Sequence, residues 1–226
     1  MEEIKKLDET NNSNLFLLLL RKFTANNDKR YWMQNPFNVG NRTVATNGHC
    51  LLSTPLQQGF VDRSEKVKNV YPIKHTTNIQ ISVTELKQKL SEFPLLDCYD
   101  EIKIECDACN GLGMVEFEFY HNSETYQIEE QCPVCNGEGL IITQSKVPNG
   151  KKVFDYNKFF IIGNSAFHIE RIEELIYVAE YLQSDTITIA NQTEKNKPTL
   201  FLIKDVELLV APTLCDEQLI TQMISF

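Results

Sequence analysis

Four of the seven cysteines in this 226-residue chain stand in two copies of one pattern. The copies are Cys106-Asp107-Ala108-Cys109-Asn110-Gly111-Leu112-Gly113 and Cys132-Pro133-Val134-Cys135-Asn136-Gly137-Glu138-Gly139. Each is C-x-x-C followed by Asn-Gly-x-Gly. Together they supply four thiols, the ligand set of a closed tetrahedral zinc site with Zn–S near ~2.3 Å. A C-x-x-C pair aims both sulfurs at one point only where the chain turns sharply after the second cysteine. Glycine accepts positive φ at little cost, and Gly111, Gly113, Gly137 and Gly139 stand where two such knuckles need them. Backbone N–H groups in the knuckles can then support the thiolates. With four thiolates and no open position, Cys106, Cys109, Cys132 and Cys135 are expected to hold one structural zinc and no catalytic one. The other chemistries of C-x-x-C are thiol exchange and disulfides. A thioredoxin-type site uses one pair on a βαβ unit. Disulfides belong to secreted chains, and Met1-Glu2-Glu3-Ile4-Lys5-Lys6 does not read as a signal peptide.

The two pairs must be brought together by what lies between them. Met114 to Tyr120 and Thr125 to Glu130 alternate apolar and polar residues with a period of two, which predicts a β-hairpin with His121 at its tip. A hairpin returns the chain to its start and sets Cys132 and Cys135 beside Cys106 and Cys109. Tyr99 to Ile104 is read as a strand leading in, Leu140 to Thr143 as one leading out, and Pro148-Asn149-Gly150 as a turn before a strand from Val153 to Ile162. Cys50, Cys98 and Cys215 have apolar neighbours and read as buried small hydrophobes, with Cys98 close enough in sequence to stand in as a ligand.

Around this insert the elements are helix then strands, repeated. Ser13 caps a helix from about Asn14 to Thr24, and strands are expected at Trp32–Val39 and Thr43–Ser53. Asn47-Gly48 predicts a type I′ hairpin turn. The connection from Thr54 to Asn78 holds Arg63, Lys66, Lys68 and Lys74, the most basic stretch of an acidic chain, and reads as a solvated or phosphate-contacting loop. Ile79 to Ile81 is a strand, and Ser82-Val83-Thr84-Glu85 fits a capping box for a helix that Pro94 stops. Ile169, Ile172, Leu175, Ile176, Ala179 and Leu182 form one helical stripe. Strands Thr186–Ala190 and Thr199–Val210, the latter turning at Lys204-Asp205, close the order. The fold class is therefore α+β, a helix-plus-antiparallel-sheet domain with an inserted zinc-binding hairpin.

Composition sets bounds. The formal charge of −9 does not favour bulk attraction to nucleic acid or anionic membrane. The longest apolar run, Leu15 to Leu20, is far short of the ~20 residues that span a bilayer. No membrane partner and a cytoplasmic location are expected. No P-loop, Gly-x-Ser-x-Gly or His-Glu-x-x-His occurs, and His49, His75, His121 and His168 are scattered, so no enzyme is expected.

Two resemblances follow from these residues. The repeats Cys106–Gly113 and Cys132–Gly139 resemble the C-x-x-C-x-G-x-G repeats of the DnaJ-type cysteine-rich domain, which implies a zinc module and, as an alternative function, a chaperone or thiol-exchange role. That family carries four repeats and the His-Pro-Asp signature of its J-domain; this chain has two repeats and no such signature. Val44-Ala45-Thr46-Asn47-Gly48-His49-Cys50-Leu51, the entry Ile81 to Leu90, and the closing run Pro198 to Pro212 resemble segments of the bacterial sliding clamp, the β subunit of the replicative polymerase. Gln222-Met223-Ile224-Ser225-Phe226 resembles the Gln-Leu-x-Leu-Phe peptide that docks on clamps. The implied organisation is a clamp-like domain in two parts, 1–104 and 141–215, an inserted zinc hairpin at 105–140, and a tail at 216–226. The implied role is a non-enzymatic zinc-binding protein engaging a replication-type protein partner or DNA.

Overall fold

The structure, a computed structural model, describes residues 15–25, 28–214 and the backbone of 220–224. The chain divides into two compact units, one made of the residues up to Pro94 and from Asp155, the other of Leu95–Phe154.

The first unit is built on a seven-stranded sheet whose neighbours are all antiparallel. Its strands are β1 (Phe37–Val39), β2 (Arg42–Thr46), β3 (Cys50–Pro55), β4 (Ile79–Ser82), β11 (Thr186–Asn191), β12 (Thr199–Ile203) and β13 (Val206–Val210). They lie in the order β1-β2-β3-β13-β12-β11-β4. The central strands are apolar on successive residues because both faces of the sheet are covered. Leu200 and Leu209 pack with Phe37, Val44, Leu51 and Tyr71 on one side. Phe201 alternates to the other and meets Phe167 edge-on at 5.9 Å between ring centroids.

Helices α1 (residues 15–22), α2 (Ser64–Val67), α3 (Val83–Ser91) and α4 (Ile169–Tyr181) complete the unit with a second sheet. That sheet has three strands, ordered β10 (Ser165–His168), β9 (Phe159–Ile162) and β14 (Ile220–Ile224), with β14 parallel to β9. The stripe of α4 is buried at Ile169, Ile172, Leu175, Ile176 and Ala179 and packs against α3, β9 and β10. Ser82 caps α3, its hydroxyl accepting from the Glu85 N–H at 3.4 Å.

Several expectations are corrected here. Trp32 does not enter a strand: Tyr31–Met33 form a 3-10 turn and β1 begins only after Pro36, which offers no N–H and restricts Asn35. Asn47-Gly48 does not form a type I′ turn. Only Gly48 has positive φ, at 91°, and the Asn47 side-chain oxygen instead accepts from the His49 and Cys50 N–H groups across a three-residue loop. The basic connection is not a free loop. It contains α2, buries Val67 and Tyr71, and bonds the β1 edge through Asn38. Part of the expected tail, Ile220–Ile224, is β14; Ser225 and Phe226 of the docking-peptide resemblance lie outside the described residues, as do Ser13 and Cys215.

The second unit is two antiparallel ribbons in series. Strand β5 (Leu95–Glu105) pairs with β8 (Leu140–Phe154), and β6 (Met114–His121) pairs with β7 (Glu124–Gln131). The unit is longer than the 105–140 insert read from sequence. Pro148-Asn149-Gly150 does not end a strand. β8 runs through it, and two register shifts absorb its extra residues, where Pro148 needs no ladder donor.

Candidate functional site

The β6–β7 ribbon closes on Asn122 and Ser123, both at positive φ (51° and 65°), and returns the second cysteine pair to the first. The two knuckles are related by near two-fold symmetry in their bonding. The Cys106 N–H donates to Gly139 O at 2.9 Å, and the Cys132 N–H to Gly113 O at 2.8 Å. Within each knuckle Gly111 N–H reaches Cys106 O, and Gly137 N–H reaches Cys132 O, both at 3.2 Å. Asn110 and Asn136 take φ of 50° and 53°, so the turn begins on the asparagine and is completed by glycine.

The four sulfurs are buried and lie within 4.8 Å of one another. Cys106 and Cys132 Sγ are 3.8 Å apart, and Cys109 and Cys135 Sγ 3.7 Å. A tetrahedron with ~2.3 Å metal–sulfur bonds has edges of about 3.8 Å, whereas a disulfide needs about 2.05 Å. Gly113 and Gly139 N–H groups each donate to a sulfur, Cys109 and Cys135 respectively, at 3.2 Å. N–H groups of Cys135 and Val134 lower the Cys132 thiol to about 7, against the burial that opposes it. Burial, which disfavours the charged form, pushes its neighbour Cys106 up to about 11, and hydrogen bonds with the Cys109 and Cys132 sulfurs add to the rise. The hydrogen bonds of the four sulfurs run to one another and to backbone groups. Donor type and spacing fit one soft metal ion.

The remaining candidates fall elsewhere. Cys98 lies in β5, outside the cluster. His121 sits at the hairpin tip opposite Glu124. Cys50 is buried and donates to Glu174 Oε2 at 3.0 Å, while Arg171 clasps the same carboxylate at 2.8 Å. Burial, then the Glu174 charge, drives the Cys50 thiol far above the range in which a thiolate forms at neutral pH, so this nucleophile beside a carboxylate is inert.

Sequence reasoning missed a second feature, an open cavity of about 290 Å³ in the first unit. Met33, Leu51, Val67 and Leu209 give it an apolar floor, Trp32, Val70 and Pro198 its walls, and Arg30, His49 and Lys66 a basic rim. No carboxylate lines it, although Asp28 pairs with Arg30 at 2.8 Å. Its residues come from distant segments that meet only in the folded sheet. The one local signal was the Thr46–Leu51 hairpin.

No protein-family model matches the chain, and no curated protein matches it. Solved structures do. The DNA polymerase III subunit beta of Pseudomonas aeruginosa covers 89% of this chain with 65% of its own, at 13% identity and a TM-score of 0.45. The sliding clamp of Caulobacter crescentus covers 90% with 63% of its own, at 11% identity and a TM-score of 0.46. That of Bartonella birtlesii covers 91% with 64% of its own, at 11% identity and a TM-score of 0.47. The chain thus spans just under two thirds of the length of these proteins. Among the described residues no helix is long and apolar enough to cross a membrane.

Proposed function

We propose that this is a non-enzymatic interaction protein that receives an extended peptide of a protein partner in the cavity beside Trp32, and that the second unit is closed by one structural zinc. The observation that carries the first half is the cavity itself, an apolar floor under a basic rim. Such a site buries one or two apolar side chains and steers acidic or carbonyl-rich segments. A protein is favoured over DNA because the chain is acidic, and Lys66 of the basic connection stands at the pocket rim. The clamp-like sequence segments make replication proteins the first class to test.

Trp32 is the only tryptophan and lines the cavity, so it reports binding directly. Titration with the peptide Gln-Leu-Ser-Leu-Phe is expected to change its fluorescence. Val70→Asp, at a half-exposed wall position, is expected to weaken binding by about tenfold or more. No signal up to millimolar peptide, or equal binding by the variant, removes this reading; a low-salt gel shift with duplex or single-stranded DNA is expected to stay blank.

Zinc is the ion that prefers four thiolates in tetrahedral array without redox change. Metal analysis should find one zinc per chain, and the four thiols should resist alkylation until a chelator is added. Thiols that react at once, with reduction of a model disulfide, would support the thiol-exchange alternative instead.

A further inference from the structure

The β6–β7 hairpin carries a surface that neither the metal nor the pocket explains. Its register sets Phe117 opposite Ile128 and Phe119 opposite Tyr126, all on one face. These four large side chains remain 49%, 46%, 54% and 41% exposed. Phe119 and Tyr126 stack at 5.0 Å. The hairpin forms a sheet of two strands only, so the outer edges of both strands are open among the described residues. A two-stranded ribbon is marginal by itself, and an uncovered aromatic face marks a contact site.

Charge says what covers it. Between Leu95 and Phe154 there are eleven acidic residues and four basic ones, so this unit carries −7 of the chain's net −9. On the face of the hairpin away from those rings, Glu116 stands directly opposite Glu129. Like charges in that position destabilise a strand pair. None of Glu116, Glu118, Glu124, Glu129 and Glu130 pairs with a cation among the described residues. A second copy of the hairpin would bring another row of carboxylates, and a phosphate backbone would be repelled in the same way.

We propose that this hairpin docks, along an open strand edge, an extended segment of a partner protein in which lysine or arginine alternates with apolar residues. Its apolar side chains lie on the face of Phe117, Ile128, Phe119 and Tyr126, and, because an extended chain alternates, its cations reach Glu116, Glu118 and Glu129 on the opposite face while its backbone pairs with an open strand edge. The surface is separate from the pocket of the first unit, so the two are tested independently.

The experiment uses the full chain with zinc bound and a fluorescein-labelled peptide Lys-Val-Lys-Ile-Lys-Val-Lys-Ile. A control peptide has glutamate in place of lysine. Anisotropy is expected to show salt-sensitive binding of the basic peptide alone, with amide shifts confined to residues 114–131. Phe119→Ser with Tyr126→Ser, and separately Glu116→Gln with Glu129→Gln, should each weaken it by about tenfold. The second pair keeps the test intact if the first loses zinc. Binding of both peptides alike, shifts elsewhere, no binding at millimolar peptide, or tight binding of an oligonucleotide overturns the proposal. So does a dimer in sedimentation that the Phe119→Ser variant abolishes, which would make the occupant a second copy. The Trp32 response to Gln-Leu-Ser-Leu-Phe should survive all four substitutions.

Discussion

At the scale of single residues, the last glycine of each repeat is the most constrained position. A Cβ built on Gly113 would fall 2.3 Å from Gly137 O, and one on Gly139 2.2 Å from Gly111 O, so each knuckle touches the other backbone to backbone. These glycines also donate to Cys109 and Cys135. Gly113→Ala or Gly139→Ala must therefore part the knuckles and disturb the sulfur's donor, and is expected to weaken metal binding roughly 10–100-fold. Gly111→Ala meets only the Glu105 side chain, at 3.6 Å, and pays the smaller strain of a left-handed φ, roughly 1–2 kcal/mol. Competition with a chromophoric chelator ranks the three; equal losses would mean that the close approach does not matter. Acid should strip the metal from all forms, since each proton gained by a thiolate removes a ligand as the pH falls. The meeting of the four cysteines was legible because its information is local: spacing sets the sulfurs, and the Asn-Gly pair sets the turn. What the spacing does not carry is the reciprocity of the knuckles, which exists only once the hairpin has closed.

At the scale of elements, the connection between β3 and β4 shows why polar composition misleads. Tyr71 is buried, donates to Glu207 through a short hydrogen bond, and shares a 2.7 Å contact with Ser53 Oγ. Arg42 donates to Ser53 at 2.8 Å, and His75 meets Glu207 at 3.2 Å, so one tyrosine ties the connection to β2, β3 and β13. Burial first, and then Glu207, raise the Tyr71 hydroxyl from 10 to about 12. The folded state therefore keeps a proton that the unfolded chain loses earlier. Its stability is intact below about pH 10 and declines as the pH rises through about 12. Tyr71→Phe should cost about 1.5–3 kcal/mol at pH 8 by leaving Glu207 short of a donor, and should flatten that alkaline decline. Denaturant titrations of both forms from pH 8 to 12 check the sign. Periodic segments such as the α4 stripe were readable because burial repeats along them. The Tyr71 network joins residues over 130 positions apart, and the bulged passage at Pro148–Gly150 depends on its partner strand, so neither leaves a local trace.

At the scale of the molecule, two units of different character share one chain. The first has a sheet buried on both faces; the second holds together through ribbon ladders and, on the reading given above, a metal. The Asp155 N–H donates to Pro94 O at 2.9 Å, so the two ends that border the second unit are already joined by a hydrogen bond within the first. Replacing Leu95–Phe154 by a short glycine-containing turn asks the first unit to close a gap of a few residues. By loop-closure entropy, exchanging sixty residues for about four changes stability by only a few kcal/mol, in the favourable direction. The shortened chain is expected to fold cooperatively, contain no zinc, and keep the Trp32 response to peptide. The Lys-Val repeat peptide should no longer bind. A shortened chain that aggregates, or that loses the Trp32 signal while remaining folded, would show that the first unit depends on the second. The assignment of one partner to each unit would then have to be abandoned.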